Sequence, residues 1–149
     1  MSKMNKPIII LVADDDPDDR LMIKESFEEA RITNALHFVE DGEELIKYLN
    51  RQDKYQEFAS LPLPGLILLD LNMPKKDGRE ALQEIKSDPN LHRIPVVIFT
   101  TSKAEEDIYH TYDLGVNSFI SKPVTFESLV DTIKTVTKYW LEVVELPTK

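Results

Sequence analysis

Four stretches of this sequence carry side chains suited to holding a cation beside a phosphate-like anion. Five of the six residues 14–19 are aspartates, interrupted only by Pro17. Asp70 follows the apolar run Leu66-Ile67-Leu68-Leu69, Thr100 closes another such run, and Lys122 stands directly before Pro123. Carboxylates at close range repel and raise one another's pKa. A divalent cation such as Mg²⁺ (or Mn²⁺) resolves that conflict, because it takes oxygen ligands and keeps positions for water and phosphate oxygens. A lysine and a hydroxyl suit an incoming phosphoryl group, whose transfer rests on positioning and electrostatics. Asp70 is then the candidate nucleophile, attacking phosphorus as a carboxylate. Taken singly, each residue has a plainer use: aspartate as a cap, threonine as a strand residue, lysine as surface charge. Their convergence is what gives the set chemical meaning.

Convergence requires a frame, and the sequence supplies one. Short apolar, β-rich runs at 8–13, 36–39, 66–71, 96–100 and 118–121 alternate with stretches of helical period at about 17–31, 42–50, 78–87, 104–112 and 126–144. Asp16 is placed to cap the first helix with Pro17 at its first position, and Thr125 to cap the last. Asp88-Pro89 and Leu114-Gly115 are stop signals. Five strand–helix units with continuous apolar strands predict a flavodoxin-like (βα)5 fold, a doubly wound parallel sheet in the order 2-1-3-4-5. In such a sheet ligands bind outside the carboxyl ends of the strands, where the order reverses. Asp14 and Asp15 end the first strand, Asp70 the third and Thr100 the fourth, while the fifth runs into Lys122-Pro123. Strands one and three are neighbours in this order, so three carboxylates crowd one edge with Thr100 and Lys122 beside them.

The 149 residues suit a single domain, with a core over about 7–141 and a helical extension over about 139–149. Hydrophobic residues at 42% against 30% charged argue for a packed core rather than disorder. A net charge of −9 without a basic stripe argues against nucleic-acid binding. The chain has no cysteine, which excludes disulfides and thiolate metal sites. The apolar run at 8–13 is too short for a signal peptide or a membrane span, so a cytoplasmic location without membrane contact is expected. The long connection at 51–64 holds Tyr55, Phe58 and two prolines; packing on the surface and a specificity role are open to it, with spacing the favoured reading.

With these residues in view, the chain resembles a bacterial response-regulator receiver domain from Ile8 to about Leu141. The resemblance rests on Val12-Ala13-Asp14-Asp15, on Leu69-Asp70-Leu71-Asn72-Met73-Pro74 with Asp77-Gly78, on Phe99-Thr100-Thr101 and on Lys122-Pro123. It implies Asp70 as phosphoacceptor. Asp15, Asp70 and the Asn72 backbone carbonyl are implied as metal ligands, with Asp14 a ligand mainly through water. It also implies that Lys122 pairs with the phosphoryl group, that Thr100 hydrogen-bonds to it, and that Lys122-Pro123 is a cis peptide. The aromatic switch position falls on Phe119, which lacks the hydroxyl of the tyrosine found in many receivers. Asn72 and Ser102 flank the expected site and are placed to tune water access.

The long connection and the tail around Trp140, Val143 and Val144 look like those of small stand-alone regulators associated with bacterial phytochromes. That likeness implies a sensor histidine kinase, of phytochrome type, as partner. It also implies a homodimer through the face of the fourth helix, fifth strand and fifth helix. The expected role is a phosphoprotein of two-component signalling rather than an enzyme, with a phosphorelay intermediate as the alternative. Leu21, expected on the outer side of the first helix, suits kinase docking. An aspartate-nucleophile phosphatase would need threonine where Asp18 stands and leaves Asp70 unexplained. A calcium loop over Asp14, Asp16, Asp18 and Glu25 would need glycine where Asp19 stands.

Overall fold

The computed structural model describes residues 8–101 and 105–143. Its strands are β1 (Ile10–Ala13), β2 (Leu36–Val39), β3 (Leu66–Leu69), β4 (Val96–Thr100) and β5 (Ser118–Ser121). All pair in parallel in the order β2-β1-β3-β4-β5. Between and after them run α1 (Pro17–Glu29), α2 (Gly42–Leu49), α3 (Gly78–Ser87), α4 (Glu105–Leu114) and α5 (Phe126–Lys138). The expected architecture is the one observed.

The strands are short; the three central ones, β1, β3 and β4, are buried on both faces, and alternation sorts the core into two layers. Leu11, Ala13, Ile67, Leu69, Val96 and Ile98 point to one side, where Leu45, Tyr48 and Leu49 of α2 and Ala81, Leu82 and Ile85 of α3 cover them. Ile10, Val12, Leu66, Leu68, Val97 and Phe99 point to the other, under Ile23 and Phe27 of α1 and Leu129, Ile133 and Val136 of α5. The helices start where side chains can accept their free N–H groups. Asp16 accepts from the Asp18 and Asp19 N–H groups, Asp41 from Glu44, and Thr125 from Ser128. Asp77 and Glu80 form a capping box on α3.

Two glycines permit close approaches that set the site. A Cβ on Gly78 would lie 2.2 Å from the Asp70 carbonyl oxygen, so only glycine lets α3 begin against the end of β3. A Cβ on Gly42 would lie 2.0 Å from the Lys76 carbonyl oxygen, to which the Gly42 N–H donates at 2.8 Å.

Several expectations need correction. The connection at 51–64 is more than spacing. It forms a 3-10 turn, Asp53–Phe58, whose Tyr55 is buried and packs edge-on against Tyr48 at 5.4 Å between centroids. Phe58 stacks on His37 at 5.2 Å. Tyr55 and Phe58 sit three residues apart, one turn of such a helix, so both rings face the core together. At the C-terminus α5 passes into a π-turn, Tyr139–Val143, and Trp140 is buried against its own chain's core. Of the two uses open to Trp140, a partner contact or cover for its own core, the structure shows the second. Val144 and the side chain of Val143 lie outside the described residues, as does Ser102. Every peptide bond among the described residues is trans, including Lys122-Pro123, contrary to the cis bond expected. The trans form is intrinsically preferred before proline by roughly 0.5–1 kcal/mol. In this form the Lys122 ammonium already reaches three carboxylates.

Candidate functional site

Sheet register builds the site. Ala13 pairs with Leu69, so the next residue on each strand, Asp14 and Asp70, leave the sheet side by side. The Asp70 N–H donates to the Ala13 carbonyl at 3.0 Å and the Asp14 N–H to the Val39 carbonyl at 3.0 Å. Across the sheet, Thr100 pairs with Ser121, and the Lys122 N–H donates to the Thr100 carbonyl at 2.8 Å. Four strand ends thus deliver Asp14, Asp15, Asp70, Thr100 and Lys122 to one place.

Both oxygens of Asp70 are engaged. Oδ1 accepts from the Thr100 hydroxyl at 2.7 Å and from the Asn72 N–H at 3.1 Å. Oδ2 accepts from Lys122 Nζ at 3.0 Å. The Asn72 side chain reaches Thr100 Oγ1 at 3.5 Å. Lys122 also donates to Asp14 Oδ2 at 2.5 Å and to Asp19 Oδ2 at 2.9 Å, which uses all three of its protons. Asp14 is 1% exposed. Burial pushes its carboxyl above the usual range, against the bonds from Lys122 and the Asp16 N–H, which favour the charged form. Burial opposes the Lys122 charge, but hydrogen bonding to Asp14, then Asp19 and Asp70, outweighs it and holds the ammonium well above the usual lysine range. The cluster therefore gathers three carboxyl groups around one ammonium.

One oxygen each from Asp14, Asp15 and Asp70 lies within 4.8 Å of the others, and Asp15 faces solvent. Hard oxygen donors at this spacing, with one side open, fit a divalent cation that keeps waters and an anionic ligand. They offer nothing to soft metals. After Asp70 the chain turns through Lys75, a non-glycine residue at φ 64°, before α3 begins at Gly78. Such left-handed positions concentrate at functional loops.

A family model described as the response regulator receiver domain matches residues 10–134. The chain belongs to that family. This receiver domain is 41% identical to the response regulator Rcp1 of Synechocystis over 143 residues, 96% of this chain and 95% of Rcp1. It superposes on the phosphorylated cyanobacterial phytochrome response regulator RcpA with a TM-score of 0.87 at 42% identity, covering 95% of this chain and 99% of RcpA. The Mn²⁺-bound form of Rcp1 gives 0.85 at 40% identity, covering 95% and 99%. A divalent metal in that relative agrees with the oxygen donor set found here.

All five side chains expected at the receiver site converge. Phe119 lies apart, half-buried against the layer that holds α2 and α3. Leu21 is exposed on α1, as expected. Two contacts were not foreseen: the Asp19 bond to Lys122, and Arg20 Nη1 donating to the Asp14 carbonyl at 2.7 Å. Asp19 is 103 positions from Lys122 in the chain, so no local pattern links them. Asp19 rides on α1, as the helix expected at about 17–31 places it, so its bond to Lys122 is a tertiary contact. The pattern Asp14-Asp15-x-x-x-Asp19 was the available signal, since it sets a further carboxylate one helical turn beyond Asp15. A calcium loop is ruled out, because α1 begins at Pro17 inside the proposed loop.

Proposed function

We propose that the chain is a stand-alone response regulator, one receiver unit with a C-terminal extension, that accepts a phosphoryl group on Asp70 from a sensor histidine kinase. The observation that carries this reading is the Asp70 carboxylate, held by Thr100 and Asn72 on one oxygen and by Lys122 on the other, beside Asp14 and Asp15. In the transfer, an Asp70 oxygen forms a bond to phosphorus as the phosphorus–nitrogen bond of a phosphohistidine breaks. The electron pair returns to the imidazole nitrogen, which takes a proton from solvent. Lys122 holds an equatorial phosphoryl oxygen as charge redistributes, and Thr100 donates its hydroxyl to the aspartyl phosphate. Mg²⁺ held by Asp14, Asp15, Asp70 and the Asn72 backbone carbonyl would add positive charge facing the same oxygens.

The new charge then biases a two-state equilibrium. Thr100 shifts toward the phosphoryl group, Phe119 follows into the space behind it, and the α4–β5–α5 face changes its protein contacts. Likeness to a phytochrome response regulator supports a phytochrome-type kinase as partner. No helix among the described residues is long and apolar enough to cross a membrane.

The test is incubation with acetyl phosphate and Mg²⁺, read by intact mass. Wild type gains one phosphoryl group, while Asp70→Asn gains none and a chelator abolishes labelling. A labelled Asp70→Asn protein overturns the acceptor assignment. Sedimentation with and without beryllofluoride reads whether the loaded state changes self-association.

A further inference from the structure

We infer that Asp19 is a positioning residue for phosphoryl transfer, anchoring the Lys122 ammonium from α1 while its other two partners are engaged in the chemistry. The inference rests on the proposed phosphoryl transfer to Asp70.

Lys122 has three protons and three carboxylate partners, Asp14, Asp19 and Asp70. Two of these belong to the group whose oxygens cluster within 4.8 Å and could share a cation. Asp70 is also the carboxylate that becomes an acyl phosphate, which ends its charge. Asp19 stands outside that group. It is the partner that keeps its charge and its bond to Nζ while Asp14 turns to a cation and Asp70 to phosphorus.

The surroundings fit an anchor. The Lys122 side chain is 11% exposed, and Asp19 and Lys122 together edge a small cleft walled by Met22, Phe99, Pro123 and Leu129. Those apolar walls offer the ammonium no other acceptor. The α1 N-terminus fixes Asp19 in turn, since the Asp16 carboxylate accepts from the Asp18 and Asp19 backbone N–H groups. Asp19 therefore sits on a rigid first turn, and its carboxylate accepts from Nζ at 2.9 Å. With one proton held there, the other two stay aimed into the site, toward phosphoryl oxygens. Without it, a lysine stem with four rotatable bonds has no fixed direction.

The experiment measures labelling rate against acetyl phosphate concentration with Mg²⁺ present. Asp19→Ala is expected to lower the maximal rate about fivefold, as loss of orientation does, and to leave half-saturation unchanged. Asp19→Asn keeps an oxygen acceptor and is expected to stay within about twofold of wild type. Asp19→Lys repels the ammonium and loses more than Asp19→Ala. The deciding measurement is a double-mutant cycle with Lys122→Ala, followed over long incubation. If Asp19 acts through Lys122, Asp19→Ala causes no further loss in the Lys122→Ala background. An equal loss in both backgrounds, or wild-type rates in Asp19→Ala, overturns the inference. Failure of the parent reading looks different: wild type itself stays unlabelled, or Asp70→Asn is labelled.

Discussion

The two edges of the sheet are built on opposite plans. Beside β2, rings from three elements interlock: His37 of β2, Tyr48 of α2, and Tyr55 and Phe58 of the 3-10 turn, with centroids 5.2–6.3 Å apart. Polar tips close the cluster, since His37 Nδ1 and the Tyr48 hydroxyl lie 2.6 Å apart and the Tyr55 hydroxyl donates to Glu44 at 2.6 Å. Beside β5, α4 contributes no fully buried apolar side chain among its described residues. Tyr109 is 73% exposed, and Tyr112 reaches back only to accept from the Phe119 N–H at 3.2 Å. The firmest tie on that helix is polar: Arg79 at the start of α3 grips Asp107 through two bonds of 2.7 Å. The first edge is held by interlocked buried rings, which resist opening, while α4 has only partly buried apolar contacts and leans on a few replaceable polar bonds. The switch proposed for this chain would use that inequality.

The largest expected effect breaks the firm edge. Tyr48→Ala removes a fully buried ring and leaves His37 Nδ1 without its partner. It should cost about 3–5 kcal/mol in urea unfolding. Arg79→Ala should cost only about 1 kcal/mol, because the pair is partly solvent-screened. Its loss should appear mainly as faster hydrogen exchange in α4. If both substitutions loosen the molecule uniformly, the contrast between the edges is wrong.

Acidification should reach the firm edge through His37, and more gently. Burial, then the Arg51 charge, holds the His37 imidazole below its ordinary value of 6.5. In the window just below 6.5 the unfolded chain binds the proton more readily, so stability falls as pH drops through it. His37→Phe should flatten that part of the profile. Glu44 is held below its usual range chiefly by the Tyr55 hydroxyl and contributes only at lower pH, below 4.5. A profile just below pH 6.5 that His37→Phe leaves unchanged would remove His37 from this account.

The sequence declared the sheet because its central strands are buried on both faces and written in nearly unbroken apolar residues. The limits of β2, β4 and β5 and of α3 could be read directly, whereas β1 and β3 were read two residues too long, one at the front and one at the back. Apolar character there continues past the ladder, through Ile8 and Ile9 and on to Leu71. The convergence of Asp14, Asp15, Asp70, Thr100 and Lys122 was legible because each stands at a strand end or just beyond it, and topology does the rest. The 3-10 turn was not, since Lys54, Gln56 and Glu57 break its apolar pattern and its fit to His37 is tertiary. The Lys122 linkage to Asp19 and the Arg79 linkage to Asp107 were hidden for the same reason: long charged side chains choose partners by space, not by spacing.

The bond from the Gly42 N–H to the Lys76 carbonyl carries a further meaning. It rivets the loop that follows Asp70 to the start of α2, hence to the firm edge, and leaves no room for a side chain to wedge the two apart. In the switch proposed above, a disturbance born at Asp70 would meet a wall on that flank and pass instead through Thr100 toward α4.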